Sequence, residues 1–320
     1  MPSPCSPLFD EQPDFDRRRL AETLRRLAEE GIFLGASSWK YEGWLGQIYT
    51  RERYVSRGVF SQKRFEAECL AEYAEVFPVV GGDFSFYQFP SESYWRRLFA
   101  SAPERLRFGL KVPEQITVKT WPSHARYGAR AGRENPSFLN RDLLAEAFLR
   151  PLEVFRKRVA VLIFEFGAFS RQSYAGLPEF LRDLDGFLAH LPGGFRYSVE
   201  IRNPEYLGPA YFDCLRRRGV AHVFNAWTRM PELDVQLRLS EAFTAEFTVC
   251  RALLRRGRTY EQAVKLFAPY QQIKDPNPRG REALRRLIES ARRDRREAFI
   301  FVNNRFEGNA PATIEAVAVQ

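Results

Sequence analysis

Apolar positions along this chain recur with two alternating periods, one near 3.6 residues and one near 2. From Asp14 to Glu30, Phe15, Leu20, Leu24 and Leu27 fall at helical spacing, and Gly31 ends the pattern. IFLGASSW (32–39) is a short apolar run that breaks into Gly and Ser, as a buried strand does. The same pairing then repeats. Helices are predicted over 60–77, where Phe65, Cys69, Tyr73 and Phe77 form an i, i+4 stripe, and over 91–103, 140–155, 177–191, 210–219, 260–270, 281–293 and 311–319. The 140–155 helix is expected to kink at Pro151. Strands are predicted over 79–86, 106–113, 159–166, 195–202, 220–226, 245–251 and 298–304.

Eight strands separated by helices predict an α/β fold, a single (β/α)8 TIM-type barrel with an N-terminal helix. Residues 1–13 read as a flexible tail and 14–320 as one domain. A doubly wound sheet is the alternative, but no G-x-G-x-x-G follows the first strand. Strand phase favours the barrel. In 195–202, Phe195, Tyr197, Val199 and Ile201 share the face toward the helices. Arg196, Ser198, Glu200 and Arg202 share the face toward the lumen.

A barrel of this kind places its site at the C-terminal ends of the strands, and polar residues gather there. They are Ser37, Ser38, Trp39 and Tyr41 after strand 1, Asp83, Ser85 and Tyr87 after strand 2, and Lys111 on strand 3. Glu165 ends strand 4, Glu200 and Arg202 strand 5, Asn225 strand 6, Arg251 strand 7, and Asn303 with Asn304 strand 8. Polar residues often end strands, but the pattern at all eight points to a functional mouth. The long connections 37–59, with Trp39, Tyr41, Trp44, Tyr49 and Tyr54, and 114–139, with Trp121, His124 and Tyr127, open on the same side. They read as a lid or aromatic wall, or equally as padding on the rim.

Composition limits what this mouth can be. The chain has 320 residues, 45% hydrophobic and 28% charged, with a mean hydropathy of −0.39 and no run long enough for a membrane span. Cys5, Cys69, Cys214 and Cys250 form no C-x-x-C pair. His124, His190 and His222 show no metal-ligand spacing, so neither a metal nor another cofactor is expected. The Pro-rich N-terminus lacks the apolar core of a secretory signal, and a reducing cytoplasm fits the scattered cysteines. Net charge is +9, and only seven of 49 basic residues are Lys. The Arg runs at 17–19, 216–218, 285–286 and 292–296 read first as solvated helix faces. Their other reading is a nucleic-acid partner, which no recognition motif supports.

Burying several charges costs several kcal/mol each unless they are fully paired, so Lys111, Glu165, Glu200, Arg202 and Arg251 suggest chemistry. The expectation is a small anionic or sugar-like ligand. Arg202, Lys111 and Arg251 would clamp an anion. Glu200 is the candidate acid–base group, with Glu165 and Lys111 as catalytic partners, the carboxylate pKa values split by repulsion. Two carboxylates about 5 Å apart would suit a retaining glycosidase. Ser37, Trp39, Tyr41, Ser85, Tyr87, Asn225, Asn303 and Asn304 would shape the pocket.

Several motifs in order resemble the YecE-like family, domain of unknown function 72. They are Gly35-Ala36-Ser37-Ser38-Trp39-Lys40-Tyr41 with Trp44 to Tyr49, Asp83 to Pro90, Phe108 to Pro113, Glu200-Ile201-Arg202, and Asn303 to Pro311. The resemblance covers residues 31–320 and implies a TIM-type barrel. It supplies no reaction, because the family's activity is not established. The chain departs from the family pattern at Asp83 and Phe86, at Glu165 where Gln is usual, at Asn225 where Asp is common, and around Arg251.

Overall fold

A computed structural model describes residues 15–319; the expected tail at 1–13 lies outside the described residues. The eight strands are β1 (Ile32–Ala36), β2 (Val79–Gly82), β3 (Arg107–Lys111), β4 (Val159–Glu165), β5 (Tyr197–Glu200), β6 (Ala221–Ala226), β7 (Phe247–Ala252) and β8 (Glu297–Val302). All neighbours are parallel, and the order runs from β1 through β8 back to β2. This is the expected (β/α)8 barrel, open along a single seam between β1 and β2.

The helices are α1 (Arg17–Glu29), α2 (Gln62–Val76), α3 (Glu92–Ala100), α4 (Leu177–Leu188), α5 (Pro209–Arg217), α6 (Tyr260–Phe267), α7 (Pro278–Asp294) and α8 (Ala310–Ala318). The apolar stripes read from the sequence are the buried ones: Leu20, Leu24 and Leu27 on α1, and Phe65, Cys69 and Tyr73 on α2. α1 is capped by the Asp16 carboxylate and packs beside β1, α2 and α8.

Two predicted elements differ. The strand expected over 79–86 stops at Gly82 and turns into a 3-10 turn over Phe84–Phe86. The helix expected over 140–155 holds a π-helical turn at Leu144–Leu149 ahead of Pro151. Pro151 has no N–H to donate to Ala147, and the widened turn absorbs the defect.

The lumen below the mouth is apolar. Phe33, Val79, Val161, Ile163, Val223, Val249, Phe299 and Phe301 form one buried cluster, with Phe33 stacked on Phe299 at 5.2 Å. Phe301 reaches across to Gly109, where any Cβ would lie 2.3 Å from its ring. The phase read in 195–202 is the one observed. Tyr197 stacks on Phe164 outside the barrel, whereas Arg196 lies within reach of the Phe299 ring and Glu200 enters the mouth.

The seam is closed by one hydroxyl. Tyr73 Oη accepts from the Ala36 N–H at 2.7 Å and donates to the Val79 carbonyl at 2.9 Å, supplying the bonds that a ladder would make. The strands come so close that a Cβ on Gly35 would stand 1.8 Å from that carbonyl. Tyr73→Phe is therefore expected to leave two buried backbone groups unpaired. It should lower the unfolding free energy by about 2–3 kcal/mol in urea titration, and Gly35→Ala should cost more. A Tyr73→Phe variant as stable as the parent would remove the seam from the account of closure.

Candidate active site at the barrel mouth

The mouth is built by side-chain phase. Lys111, Glu165, Glu200 and Arg251 all point inward from β3, β4, β5 and β7, and Glu165 is the register partner of Glu200. Arg202 follows β5 two residues after Glu200, and Asp83 follows β2. Together they form a closed network. Lys111 Nζ lies 3.0 Å from Glu165 and 3.2 Å from Asp83. Arg202 lies 2.5 Å from Glu200 and 3.4 Å from Glu165. Arg251 lies 2.5 Å from both Glu165 and Glu200, and 3.5 Å from Asp83. Three carboxylates thus meet three cations.

Burial grades across this network. Glu200 is 0% exposed and each of its oxygens faces a different arginine, Oε1 toward Arg202 and Oε2 toward Arg251. The Glu165 side chain is 17% exposed and the Asp83 side chain 40%. Oε2 is the Glu165 oxygen nearest all three cations, and among the described residues the hydrogen bond from Arg251 goes to Oε2 and none goes to Oε1. Burial pushes the Glu165 carboxyl up, but Lys111, Arg202 and Arg251 overcome it and hold the group well below the usual carboxylate range. Glu165 is thus an anion at neutral pH, suited to accept hydrogen bonds and to stabilise positive charge rather than to take up a proton. Burial alone would depress the Arg251 guanidinium, yet Glu200, Glu165 and Asp83 keep it firmly protonated.

Aromatic faces flank the network. Trp227 lies under the Arg202 guanidinium at 4.2 Å, and Phe86 under Lys111 at 4.8 Å. Exposed Tyr87 follows, with Arg126 sandwiched between it and Tyr127 at 4.7 and 4.5 Å.

The other predicted residues divide into two groups. Asn225 belongs to the network's support, since its Oδ1 accepts from Arg202 at 3.0 Å. Ser37 is buried with no partner for its hydroxyl, and Tyr41, half-buried, has Ser38, Asp83 and Arg305 within electrostatic reach. The rest tie the rim together. Ser85 donates to the Lys111 carbonyl at 2.6 Å. Asn303 caps the turn that follows it, and Asn304 accepts from Trp44 Nε1 and the Ala310 N–H. Trp39, Trp44, Tyr49 and Tyr54 are buried, so the connection after β1 pads the core. The 114–139 connection is pinned by Asn135, which donates to the Gln115 and Val118 carbonyls.

Sequence reasoning put Asp83 at the mouth without a role and left out Phe86 and Trp227 as site residues. Asp83 stands directly after β2, and that position was the available signal; the two rings carry none beyond proximity to a strand end. Cys69 and Cys214 are buried and their thiols pushed up to about 12 and about 11. Burial holds His222 neutral, with its pKa lowered to about 3. None of these is poised for chemistry. Among the described residues, no group of three or more His, Cys, Asp and Glu gathers as a metal site, and no helix is long and apolar enough to cross a membrane.

The order of these motifs around one barrel mouth decides the family, and a family model, "Protein of unknown function DUF72", matches residues 33–320. The chain belongs to the DUF72 family. The UPF0759 protein YecE of Escherichia coli K12 is 25% identical over 190 residues, which is 59% of this chain and 55% of that protein. The chain therefore spans about half the length of the curated relative it matches. A DUF72 family crystal structure from Enterococcus faecalis V583 superposes with a TM-score of 0.59 at 16% identity, covering 89% of this chain and 94% of that one. A second, from Thermotoga maritima MSB8, gives 0.58 at 18% identity and covers 89% and 97%. Both likenesses concern the fold.

Arg251 bridges all three carboxylates, so Arg251→Leu leaves the two more buried ones, Glu165 and Glu200, one cation short in low dielectric. It is expected to cost about 3–5 kcal/mol in chemical denaturation. The depressed Glu165 carboxyl has a signed consequence. Its stabilisation is complete above the ordinary carboxyl value of 4.5 and is lost as pH falls through the lowered folded value. Thermal melts of Glu165→Gln should accordingly show a shallower loss of Tm below about pH 4.5 than the parent. Parallel acid limbs would show that Glu165 does not contribute.

Proposed function

We propose that this barrel binds a small, hydroxyl-rich molecule at the C-terminal mouth and acts on it through its own charged side chains. The observation behind this reading is Glu165, a carboxylate kept ionised by three cations that lie nearest its Oε2, while among the described residues no hydrogen bond is made to Oε1. In the proposal, Glu165 Oε1 accepts a hydrogen bond from a ligand hydroxyl and, as a fixed anion, stabilises positive charge that develops beside it. Glu200 is completely buried and acts through Arg202 and Arg251 as a positioning residue. This moves the central carboxylate role, which the sequence assigns to Glu200 as an acid–base group, one strand over.

Charge balance shapes the ligand. Lys111, Arg202 and Arg251 already face carboxylates, so an added anion must compete with Asp83, Glu165 and Glu200 for them. A polyhydroxylated ligand has no such competition. Its hydroxyls can donate to the half-exposed Asp83 and accept from Lys111, while Phe86 and Trp227 offer apolar faces to a ring. A carboxylated sugar stays within reach through Lys111; a strongly charged phosphate fits less well.

The nucleic-acid alternative through the Arg runs has less behind it. Arg17 pairs with Glu75, Arg286 with Glu282, and Arg292 with Glu30, as solvated helix faces do.

Thermal-shift screening of polyols, sugars, sugar acids, sugar phosphates and short oligonucleotides tests the proposal. A sugar or sugar acid is expected to raise Tm by about 2 °C or more at saturating concentration, and Asp83→Asn should abolish the shift. Glu165→Gln should keep the shift and lose turnover of that ligand. Stabilisation by oligonucleotides alone, or a shift unchanged in Asp83→Asn, would overturn it.

A further inference from the structure

Two Arg runs far apart in sequence, 216–218 and 292–296, converge on the opposite end of the barrel. There a cleft of about 1010 Å³ opens among the N-terminal ends of β5, β6, β7 and β8. Its cationic wall is Arg196, Arg216, Arg218, Arg295 and Arg296, against Glu246 and Glu297. Its apolar wall includes Leu191, Phe195, Val220 and Phe247.

Three of the arginines are engaged. Arg196 pairs with Glu297, Arg216 with Asp213, and Arg218 holds Asp185 through two bonds of 2.9 and 2.7 Å. Arg295 and Arg296 differ. Among the described residues neither makes an ion pair within 4 Å, and nearby Asp294 is taken by Arg293 and Ser290. Arg296 lies 5.4 Å from the Phe243 ring, and its NH1 is buried with no hydrogen-bond partner. A buried guanidinium nitrogen left unpaired is destabilising. Arg295 ends α7 in the left-handed region at φ 48°, where Gly is the usual residue. The chain thus places a charge at a position that backbone preference would give to Gly.

We propose that this cleft binds an anion with an apolar body, its charged group on Arg295 and Arg296 and its body on the Phe195 and Phe247 side. A single phosphate, sulfonate or carboxylate supplies the counter-charge that Arg295 and Arg296 lack among the described residues, and the apolar wall selects against a bare inorganic ion. This site is independent of the mouth.

Anilinonaphthalene sulfonate, an aromatic sulfonate that fluoresces when bound, is the probe. The folded parent should bind it saturably at low salt, and Arg295→Gly with Arg296→Gln should weaken binding about tenfold or more. Arg295→Gly suits the left-handed backbone, so alone it should keep or raise Tm while weakening the probe about threefold. That single variant carries the test if the double variant loses stability. Tyr87→Ala, which removes an exposed ring on the mouth side, should leave binding unchanged. Absence of saturable binding, an unaltered affinity in both arginine variants, or loss of binding in Tyr87→Ala would overturn the proposal.

Discussion

The organisation of the mouth rests on one constraint: charges taken out of water inside a barrel must cancel within a few ångströms. Glu200 has no exposed surface, and a lone carboxylate there would cost more than the fold could offset. Arg202 and Arg251 meet it from its own strand and from β7. Bringing two guanidinium groups inside then requires further anions, which Glu165 and Asp83 supply, and Lys111 balances the set. Each member is present because of the others. Asp83, Glu165 and Arg251 all lie within this network. The carboxylate at 165 adds a charge that the surrounding cations absorb. Changes at these positions are coupled rather than independent, as expected for groups sharing one set of ion pairs.

The network needs a barrel whose strands hold their register, and that depends on closure. Seven interfaces are ladders and the eighth is a single phenol. Tyr73 reaches that seam because α2 keeps it one turn beyond Cys69 on the buried stripe, and Gly35 lets β2 approach. Below the mouth, Phe301 crosses to Gly109 and fills the lumen. The apolar floor keeps water away from the ion pairs from beneath, which strengthens them and leaves solvent access from the open side alone.

The architecture was legible in the sequence because it rests on periodicity. Alternation in 195–202 assigned Glu200 and Arg202 to the lumen before any coordinates, and β3, β4 and β7 delivered Lys111, Glu165 and Arg251 to the same layer. What periodicity cannot encode is which charge meets which. Asp83 sits outside any strand, in a 3-10 turn whose geometry depends on how β2 ends. The division of labour between Glu165 and Glu200 was also hidden. They are register partners of the same residue type, and only the depth at which each lies, and the oxygen each offers, separates them. Ser85 and Asn304 have the composition of ligand-binding residues but spend their bonds on the Lys111 carbonyl and on Trp44. A polar side chain at a strand end is ambiguous until its partners are known.

The two ends of the barrel use the same residue type in opposite ways. At the mouth Lys111, Arg202 and Arg251 are all met by carboxylates, so they serve to fix geometry, and what a ligand finds is Glu165 Oε1 and the exposed edge of Asp83. At the other end Arg295 and Arg296 lack carboxylate partners among the described residues, and what a ligand finds is positive charge beside an apolar wall. Net charge alone would send any anion to either end with equal ease. Local pairing decides otherwise: an anion entering the mouth must first displace a carboxylate, whereas an anion entering the lower cleft completes a set that the fold leaves open.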